Sequence, residues 1–366
     1  MFKRIYFFFL TYLVVVTYNQ TLLLLWFAKN GLSYKGMLLH YFLMFLLSLC
    51  IFFILQGRTI GSRSAFFIGI VASALGVYVA SIMTHSWSAY IVSLFFGVSG
   101  VFFWTTYNAL YFKYSNKDEH GFKSGLYFLL SPICAAILAP VAGIVAEKLG
   151  YHFLFLSSLF LYLIPLALIF YLPSFIFKFE AKRALAKLEN RTLVFFQGYN
   201  SILSFTFIPI FTLFFISNPL QLGSFFGYLA LLGAITALFN SKLSDKLKKR
   251  APFFYFFTIL DSISYLPLAF VKSLVLWQVF AGVNHVTVTL ENPFGFALVL
   301  DHTELNETET MLGREIYLIF GRLALLAISF LVLWLTNSFK VVLIVASIGT
   351  LLYPLVAYYR KVYLKK

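Results

Sequence analysis

The sequence predicts an all-α membrane protein with twelve transmembrane helices in two six-helix bundles. The 366-residue chain is 61% hydrophobic and only 11% charged, and its mean hydropathy is +0.90. Soluble domains are about 45–50% apolar and about 25% charged. Twelve apolar runs, each long enough to cross a bilayer with about 20 residues, account for most of the chain. A soluble enzyme, a disordered chain and a disulfide scaffold are therefore excluded.

Charged and turn residues divide the apolar sequence into the twelve spans. The first six are expected near residues 5–28, 36–56, 65–84, 87–112, 122–146 and 152–176. The second six are expected near 193–217, 222–240, 253–271, 273–300, 309–336 and 339–359. The first run is too long for the apolar part of a signal peptide, so we interpret it as a retained span.

The basic residues are unevenly distributed between the two sides of the predicted bundle. Both termini and the even-numbered loops carry most of the 28 Lys and Arg residues. The opposite side has only Lys29, Lys35, Lys148, Lys272 and Lys340. Because basic loops remain in the cytoplasm, both termini are expected there, with the protein in a cell membrane (inner or plasma membrane). The net charge of +15 thus indicates topology, and nucleic acid is not an expected partner.

The longest polar stretch, residues 177–191, separates the spans six and six. It can form a short amphipathic helix on the membrane surface, although we prefer a simple linker. The loops after spans two and eight correspond in position, with Gly57 heading the first and Asp245 the second. This indicates a duplicated six-span unit, which is common among transporters. The expected domains are an N-terminal bundle, a cytoplasmic linker and a C-terminal bundle, at residues 1–176, 177–192 and 193–366.

Two sequence motifs accompany this organisation. A loop of the form G-x-L-x-D-R-x-G-R-R is matched after span eight by Asp245, Lys246, Lys249 and Arg250, and after span two by Arg58, Gly61 and Arg63. Span five contains A-P-V-A-G, a degraded form of a G-P-x-x-G-G motif, at Ala139, Pro140 and Gly143. With the six-plus-six spans and basic linker, the whole chain resembles the major facilitator superfamily. The resemblance implies a transporter that works by alternating access, with helices one, four, seven and ten around a central cavity.

Four amide side chains fall in the helices that the resemblance places around the cavity: Asn19, Asn108, Asn200 and Asn284. An amide both donates and accepts hydrogen bonds, so it suits either a polar solute or a contact between helices. Helical spacing adds further candidates for the same faces, namely Trp104, Tyr107, Gln197 and Thr287. For the two aromatic residues, ordinary packing is the alternative to substrate contact.

Ionisable side chains inside a span usually face a cavity or a partner, because a charge in lipid costs several kcal/mol. Glu291 and Arg322 lie at similar depths on consecutive antiparallel spans, which predicts an ion pair. The pair is either static or opens when Glu291 takes a proton or a cationic substrate; the remaining alternative is that the two positions are independent. Asp261 is expected to pair with a neighbour rather than bind substrate, and His285 suits either packing or a proton role.

The signs of the loop charges predict a cytoplasmic gate. Two loops are acidic, with Asp118 and Glu119 in one and Asp301 and Glu304 in the other. The loops after spans two and eight are basic, with Arg58, Arg63, Asp245, Lys246 and Arg250 as the candidate gate residues. In the resembled family these loops meet across the two halves when the cytoplasmic side closes. The alternative is that the acids only balance lysines in their own loops.

The expected function is secondary active transport of a small solute, coupled to protons, and not an enzyme activity. The alternatives are a membrane-embedded enzyme or flippase for lipid-like substrates, and a receptor or scaffold that does not transport. The sequence lacks a nucleotide-binding loop and Cys/His metal spacing, so no cofactor or metal is expected. Cys50 and Cys134 lie in apolar runs and are expected to be reduced. The expected partners are the solute, protons and the lipid bilayer, and the protein is expected to be a monomer.

Overall fold

We analysed the protein as a computed structural model, which describes residues 2–114, 120–246, 250–301 and 306–359, and the side chains of these except 120–126, 240–246, 250–251, 297, 299–301 and 307. The described chain is almost entirely helical. Among the described residues, eleven helical segments are long and apolar enough to cross a membrane. The twelfth span is Leu274–Asp301, with 28 residues. The predicted fold class is confirmed.

The first six spans are formed by helices Phe2–Gln20 with Leu23–Lys29, Tyr34–Ile54, Ser62–Ser81, Ser88–Ser99 with Thr105–Lys113, His120–Lys148, and Gly150–Leu168. The last six are formed by Arg191–Ile202 with Ile208–Thr212, Pro219–Lys246, Arg250–Ser264, Leu274–Asp301, Glu307–Thr336, and Phe339–Thr350 with Leu352–Tyr359. A π-helical turn joins the two helices of span 4 (Gly100–Trp104) and of span 7 (Leu203–Phe207). Short 3₁₀ turns, Ile169–Tyr171 and Leu266–Phe270, extend spans 6 and 9.

The outer surface of the bundle is apolar. Phe160, Phe170 and Trp334 are 73%, 76% and 80% exposed, although water would disfavour such large apolar side chains. The interior is packed with buried aromatic residues such as Tyr12, Tyr107 and Trp277. An apolar exterior around a packed interior is what a multi-pass membrane protein requires.

Spans 5 and 8 cross the boundary between the two sets of six spans with their backbones close together. The A-P-V-A-G segment of span 5 supplies this contact. A Cβ atom added at Gly223 of span 8 would overlap the carbonyl oxygen of Ala139, and one added at Gly227 would lie 2.6 Å from Pro140 Cγ. Because glycine lets two helices approach closely, the motif found in the sequence serves as a packing surface between the halves.

The linker after span 6 is ordered, in contrast to the simple connection that we preferred. Span 6 was expected to reach residue 176, but strand β2 (Ile176–Lys178) pairs antiparallel with strand β1 (Thr59–Gly61) in the loop after span 2. Gly57 makes the turn before β1 with a φ of +79°, a conformation that glycine adopts without strain. Lys178 lies 2.5 Å from Glu180, and this contact lowers the pKa of the Glu180 carboxyl below its ordinary value.

The linker continues as a short helix, Ala181–Lys187, which packs on span 11. A Cβ atom added at Gly313 would lie 3.0 Å from the Ala184 carbonyl oxygen, and Tyr317 donates a hydrogen bond of 3.0 Å to the Leu185 carbonyl oxygen. Arg183 forms an ion pair of 3.3 Å with Glu309. We call the end of the bundle that carries β1, β2 and this linker helix the linker face.

Candidate functional site

Arg322 lies between the two sets of six spans and is partly exposed. Its Nε donates a hydrogen bond of 3.2 Å to Ser201 Oγ of span 7. Its guanidinium carbon lies 5.1 Å from the ring centre of Phe45 in span 2 and 5.2 Å from that of Phe205 in span 7. Aromatic faces attract a guanidinium at this distance. The guanidinium group of Arg322 therefore contacts the hydroxyl of Ser201 and the rings of Phe45 and Phe205.

The π-helical turn of span 7 positions part of this site. It covers Leu203–Phe207, so Phe205 lies within the turn and Ser201 two residues before it. A π turn inserts one extra residue into a helix, shifts the direction of the side chains that follow, and occurs often at functional sites. Phe205 is 37% exposed although it lies near the middle of a span. The turn thus presents the ring of Phe205 to Arg322.

Glu291 does not meet Arg322, and the predicted pair is wrong in this structure. Glu291 is 2% exposed, and its Oε1 accepts a hydrogen bond of 2.9 Å from the Tyr353 hydroxyl of span 12. No ion pair joins Glu291 to Arg322 among the described residues. The two residues share a depth but not a direction, because Glu291 faces span 12 whereas Arg322 faces spans 2 and 7. Gly295, one turn after Glu291, leaves room for its carboxyl group.

A buried polar cluster lies between spans 7, 9 and 10. Its members are Asn200, Asp261, Ser264, Tyr265, Asn284 and Thr287, which we call the Asp261 cluster. Asn200 Nδ2 donates to Asp261 Oδ2 at 2.6 Å, and Asn284 Nδ2 donates to Ser264 Oγ at 2.7 Å. Asp261 therefore has a neighbouring partner, as expected, and Asn200, Asn284 and Thr287 lie with it rather than beside Arg322. His285 lies on another face of span 10, against Gly233 of span 8.

The predicted cavity residues of the first six spans lie among other helices. Asn19 Nδ2 donates to the Tyr162 hydroxyl of span 6 at 3.2 Å. Tyr107 is fully buried, with its ring centre 3.9 Å from that of Phe9. Trp104 is partly exposed and lies edge-on to Phe9 at 5.6 Å. Of these three, Trp104 alone keeps an open face, and substrate contact stays a prediction.

A second set of contacts joins the halves near the linker face. Asn108 Nδ2 of span 4 donates to Glu315 Oε1 of span 11 at 3.1 Å, and Asn108 Oδ1 accepts from the Tyr127 hydroxyl of span 5 at 2.9 Å. Arg314 bonds Glu315 at 3.0 Å and Gln197 at 3.4 Å, and its guanidinium lies 4.2 Å from the Phe296 ring. These six residues form what we call the linker-face lock.

Sequence reasoning missed most of this lock because Arg314, near the start of the span predicted at 309–336, was not among the candidate residues. Span 11 begins at Glu307, which places Arg314 in its second turn, where it is 7% exposed. The available signal was the adjacent Arg314 and Glu315 within an apolar stretch. Gln197 and Asn108, predicted to line the cavity, belong to the lock.

The predicted loop gate falls largely outside the described residues. This applies to residues Asp118, Glu119 and Glu304 and to the side chains of Asp245, Lys246, Arg250 and Asp301. Arg58 is exposed, immediately before strand β1. Arg63 donates from Nε and Nη2 to the Leu172 carbonyl oxygen at 3.1 and 2.8 Å. The gate therefore stays a prediction.

The halves also touch on the face opposite the linker. The ring of Tyr34 in span 2 stacks on Phe214, just after span 7, with 4.2 Å between the ring centres. Lys35 Nζ donates to Asn337 Oδ1 at 2.8 Å. Arg322 and its partners thus lie between contacts at both ends of the bundle, a geometry suited to a solute site with two entrances.

Comparison of the sequence with protein-family models agrees with this fold. A family model described as Major Facilitator Superfamily matches residues 5–313. The chain belongs to the major facilitator superfamily. It is therefore a multi-pass transporter of the secondary type, and members of the superfamily carry small solutes. A comparison with curated protein sequences finds no significant match.

Solved structures of the superfamily share the fold over nearly the whole chain. The fucose:proton symporter FucP of E. coli is 12% identical, with a TM-score of 0.68 and coverage of 98% of both chains. The human organic anion transporter MFSD10 (TETRAN) is 14% identical, with a TM-score of 0.68 and coverage of 97% of this chain and 99% of the other. A POT family transporter in complex with a thioalcohol-conjugated peptide is 11% identical, with a TM-score of 0.71 and coverage of 99% and 96%. These likenesses concern the fold.

Proposed function

We propose that this member of the superfamily is a secondary active transporter for a small solute that carries a carboxylate or another anionic group, and that Arg322 is the charged contact for it. The observation that carries the proposal is the environment of Arg322. None of the ion pairs among the described residues includes it. An arginine has five N–H donors, and Ser201 occupies one of them. An anionic group would take two others in a fork, which gives both strength and direction.

The proposed transport cycle uses residues 1–176 and 193–366 as two moving bodies, with 177–192 as the linker. The linker-face lock closes one entrance, and its opening would release the solute on that side. The basic residues support a cytoplasmic position for the linker face and both termini. A maleimide that cannot cross membranes should label Ala186→Cys, in a variant with Cys50 and Cys134 replaced by serine, only after the cells are opened. Labelling of intact cells would reverse the orientation.

Glu291 is the residue that we propose for the coupling proton. Proton coupling requires a buried carboxyl group that exists in a charged and a neutral form during the cycle. Glu291 is buried, its described contact is a hydroxyl that suits either form, and it lies on span 10 beside the Asp261 cluster. In proteoliposomes, Glu291→Gln should abolish the dependence of uptake on a pH gradient while exchange of solute continues. Unchanged dependence on the gradient would exclude this role.

Thermal stability of the purified protein tests the substrate class. The probes are a panel of small organic acids, each paired with its neutral amide. At least one acid should raise the melting temperature, its amide should not, and Arg322→Gln should abolish the shift. Lys340→Gln, which removes a charge at the opposite face, should preserve the shift. Stabilisation by neutral solutes alone, with the same response in Arg322→Gln, would contradict the proposal.

A further inference from the structure

The Asp261 cluster contains more hydrogen-bond acceptors than donors. Three of its oxygens have no hydrogen-bond partner: Asn200 Oδ1, Asp261 Oδ1 and Asn284 Oδ1. These residues are 5%, 1% and 0% exposed, so bulk water does not reach them. A buried acceptor without a partner is costly and calls for an explanation.

The orientation of both amides follows from their contacts. The Asp261 carboxylate only accepts, so Asn200 must present its nitrogen to it. The Ser264 hydroxyl has one proton, which it donates to the Asp261 carbonyl oxygen at 2.7 Å. It therefore accepts from Asn284, which must also present its nitrogen. Exchanging oxygen and nitrogen in either amide would break these bonds, so the unpartnered atoms are oxygens.

The neighbouring hydroxyl groups can supply at most one of the three missing donors, from Tyr265. Thr287 donates to the Asn284 carbonyl oxygen at 2.8 Å, and its Oγ1 lies 3.2 Å from Ser264 Oγ. The Tyr265 hydroxyl is 2.6 Å from Ser204 Oγ. Thr287 and Tyr265 both lie beside the Asp261 carboxylate. What remains in the cluster is one carboxylate oxygen, two amide oxygens and the lone pairs of hydroxyl groups.

We propose that the Asp261 cluster binds an alkali-metal cation, with Asp261, Asn200, Asn284 and Thr287 as oxygen ligands. Hard cations take carboxylate and carbonyl oxygens as ligands, and the cluster presents three such oxygens without a hydrogen-bond partner. Its single carboxylate balances one positive charge. Mg²⁺ would demand a near-ideal octahedron and retain several waters. Among the described residues no group of three His, Cys, Asp or Glu has the arrangement of a metal site, which disfavours a transition metal.

A cation satisfies this set better than a water molecule or a proton. A water molecule could serve at most two of the three acceptors, would need the Tyr265 proton for the third, and would leave the charge of the Asp261 carboxylate unbalanced. A proton on Asp261 would reach a single acceptor. Glu291 of span 10 and Tyr353 of span 12 interact electrostatically with Asp261. A cation in the cluster would stabilise the negative charge of the Asp261 carboxylate.

A polar residue of span 7, Ser204, lies between the Asp261 cluster and the surroundings of Arg322. Ser204 is partly exposed, contacts the Tyr265 hydroxyl, and lies in the π-helical turn of span 7. It is three residues after Ser201, the hydrogen-bond partner of Arg322. A cation at the cluster would tie spans 7, 9 and 10 together one helical turn from the proposed solute contact.

The test uses the purified full-length protein without any solute, so its outcome is independent of the transport proposal. NaCl or KCl replaces choline chloride at constant ionic strength and at fixed pH values between 5.5 and 8.5. We expect Na⁺ or K⁺ to raise the melting temperature by roughly 3 °C or more relative to choline. Thr287→Val, which removes one ligand with little change of shape, should reduce this shift by at least half. Thr236→Val, a matched change in span 8, should preserve it.

Asp261→Asn should abolish the response to alkali cations, and direct binding of radioactive ²²Na⁺ should be lost with it. If that variant does not fold, the Thr287→Val and Thr236→Val pair still decides the question. Equal melting temperatures in choline and both alkali chlorides at every pH would overturn the proposal. Stabilisation that depends on low pH and not on the alkali cation would also overturn it, because that result indicates bound protons. A Thr287→Val variant that responds to the cations like the wild type would overturn it as well.

Discussion

Gly198 of span 7 and Gly321 of span 11 bring the backbones of the two helices into direct contact. A Cβ atom added at Gly321 would lie 2.7 Å from the Tyr199 backbone nitrogen and would overlap the Phe195 carbonyl oxygen. One added at Gly198 would lie 2.7 Å from Leu318 Cα. Arg322 follows Gly321, and its partner Ser201 lies one turn after Gly198. This crossing therefore sets the position of the proposed solute contact.

Substitution of Gly321 should damage stability and solute binding together. Gly321→Ala forces the helices apart, and overpacking typically costs about 1–3 kcal/mol, so the melting temperature should fall and the shift produced by an organic acid should shrink. Gly100→Ala is the control, because its Cβ atom would meet Ser48 Oγ at an ordinary 3.6 Å. Equal melting temperatures for the two variants would show that the crossing tolerates a methyl group.

Loss of the lock should shift the protein toward the state that is open at the linker face. Asn108→Ala removes one hydrogen bond to Glu315 and one from Tyr127, and a hydrogen bond to a charged group contributes about 1.5–3 kcal/mol. The open state should become at least about ten-fold more populated. Spin labels at the exposed residues Lys113 and Asn306 would measure this as a longer distance. Asn30→Ala is the control and should leave the distances unchanged, because the hydrogen bond described for the Asn30 side chain stays within span 1.

The sequence was sufficient for the spans but not for the directions of side chains around each helix. Length and apolar content determine where a helix can cross a membrane, and the predicted ends lie within a few residues of the observed ones for most spans. Depth along a helix was a poor guide to contact, as the separation of Glu291 from Arg322 demonstrates. Their directions depend on how each helix is rotated, which is set by close packing at glycines such as Gly198 and by the π-helical turn of span 7. Neither has a clear signature in a single sequence.

The polar residues were easier to find than their partners. Asn200, Asp261 and Asn284 were recognisable because amides and acids are rare within apolar runs. That the three form one cluster follows from the packing of spans 7, 9 and 10, which the sequence does not specify. Arg314 was missed because a charged residue near a span end looks the same in sequence whether it lies in a loop or in the first turns of a helix.

Glu291 should be energetically coupled to Tyr353 and not to Arg322. The Glu291 and Tyr353 side chains share a hydrogen bond of 2.9 Å, and such bonds between membrane helices contribute about 0.6 kcal/mol on average and about 1.7 at most. A double-mutant cycle of Glu291→Gln and Tyr353→Phe, measured as unfolding free energy, should show a coupling of that size. The cycle of Glu291→Gln and Arg322→Gln should be additive within about 0.5 kcal/mol. Strong coupling in the second cycle alone would restore the pair predicted from the sequence.

The linker should act as a fixed strap across the linker face, and limited trypsin digestion can test this. Its exposed basic residues, Lys182, Arg183 and Lys187, are cleavage sites only when the linker helix opens, since a protease cuts locally unfolded chain. Ala184 is fully buried against Gly313, so Ala184→Leu should push the helix off span 11. An overpacking cost of about 1–3 kcal/mol would raise the rate of cleavage roughly ten-fold.

The neighbouring Ala186 is exposed and provides the matched control, because Ala186→Leu adds the same side chain without meeting span 11. Tyr317→Phe, which removes the hydrogen bond to the Leu185 carbonyl oxygen, should accelerate cleavage less than Ala184→Leu. Because the β1–β2 pairing joins the same linker to the loop after span 2, release of the linker helix should also weaken the lock and lengthen the distance between labels at Lys113 and Asn306. Equal cleavage rates for Ala184→Leu and Ala186→Leu would mean that the linker is only a connection, which is what the sequence led us to prefer.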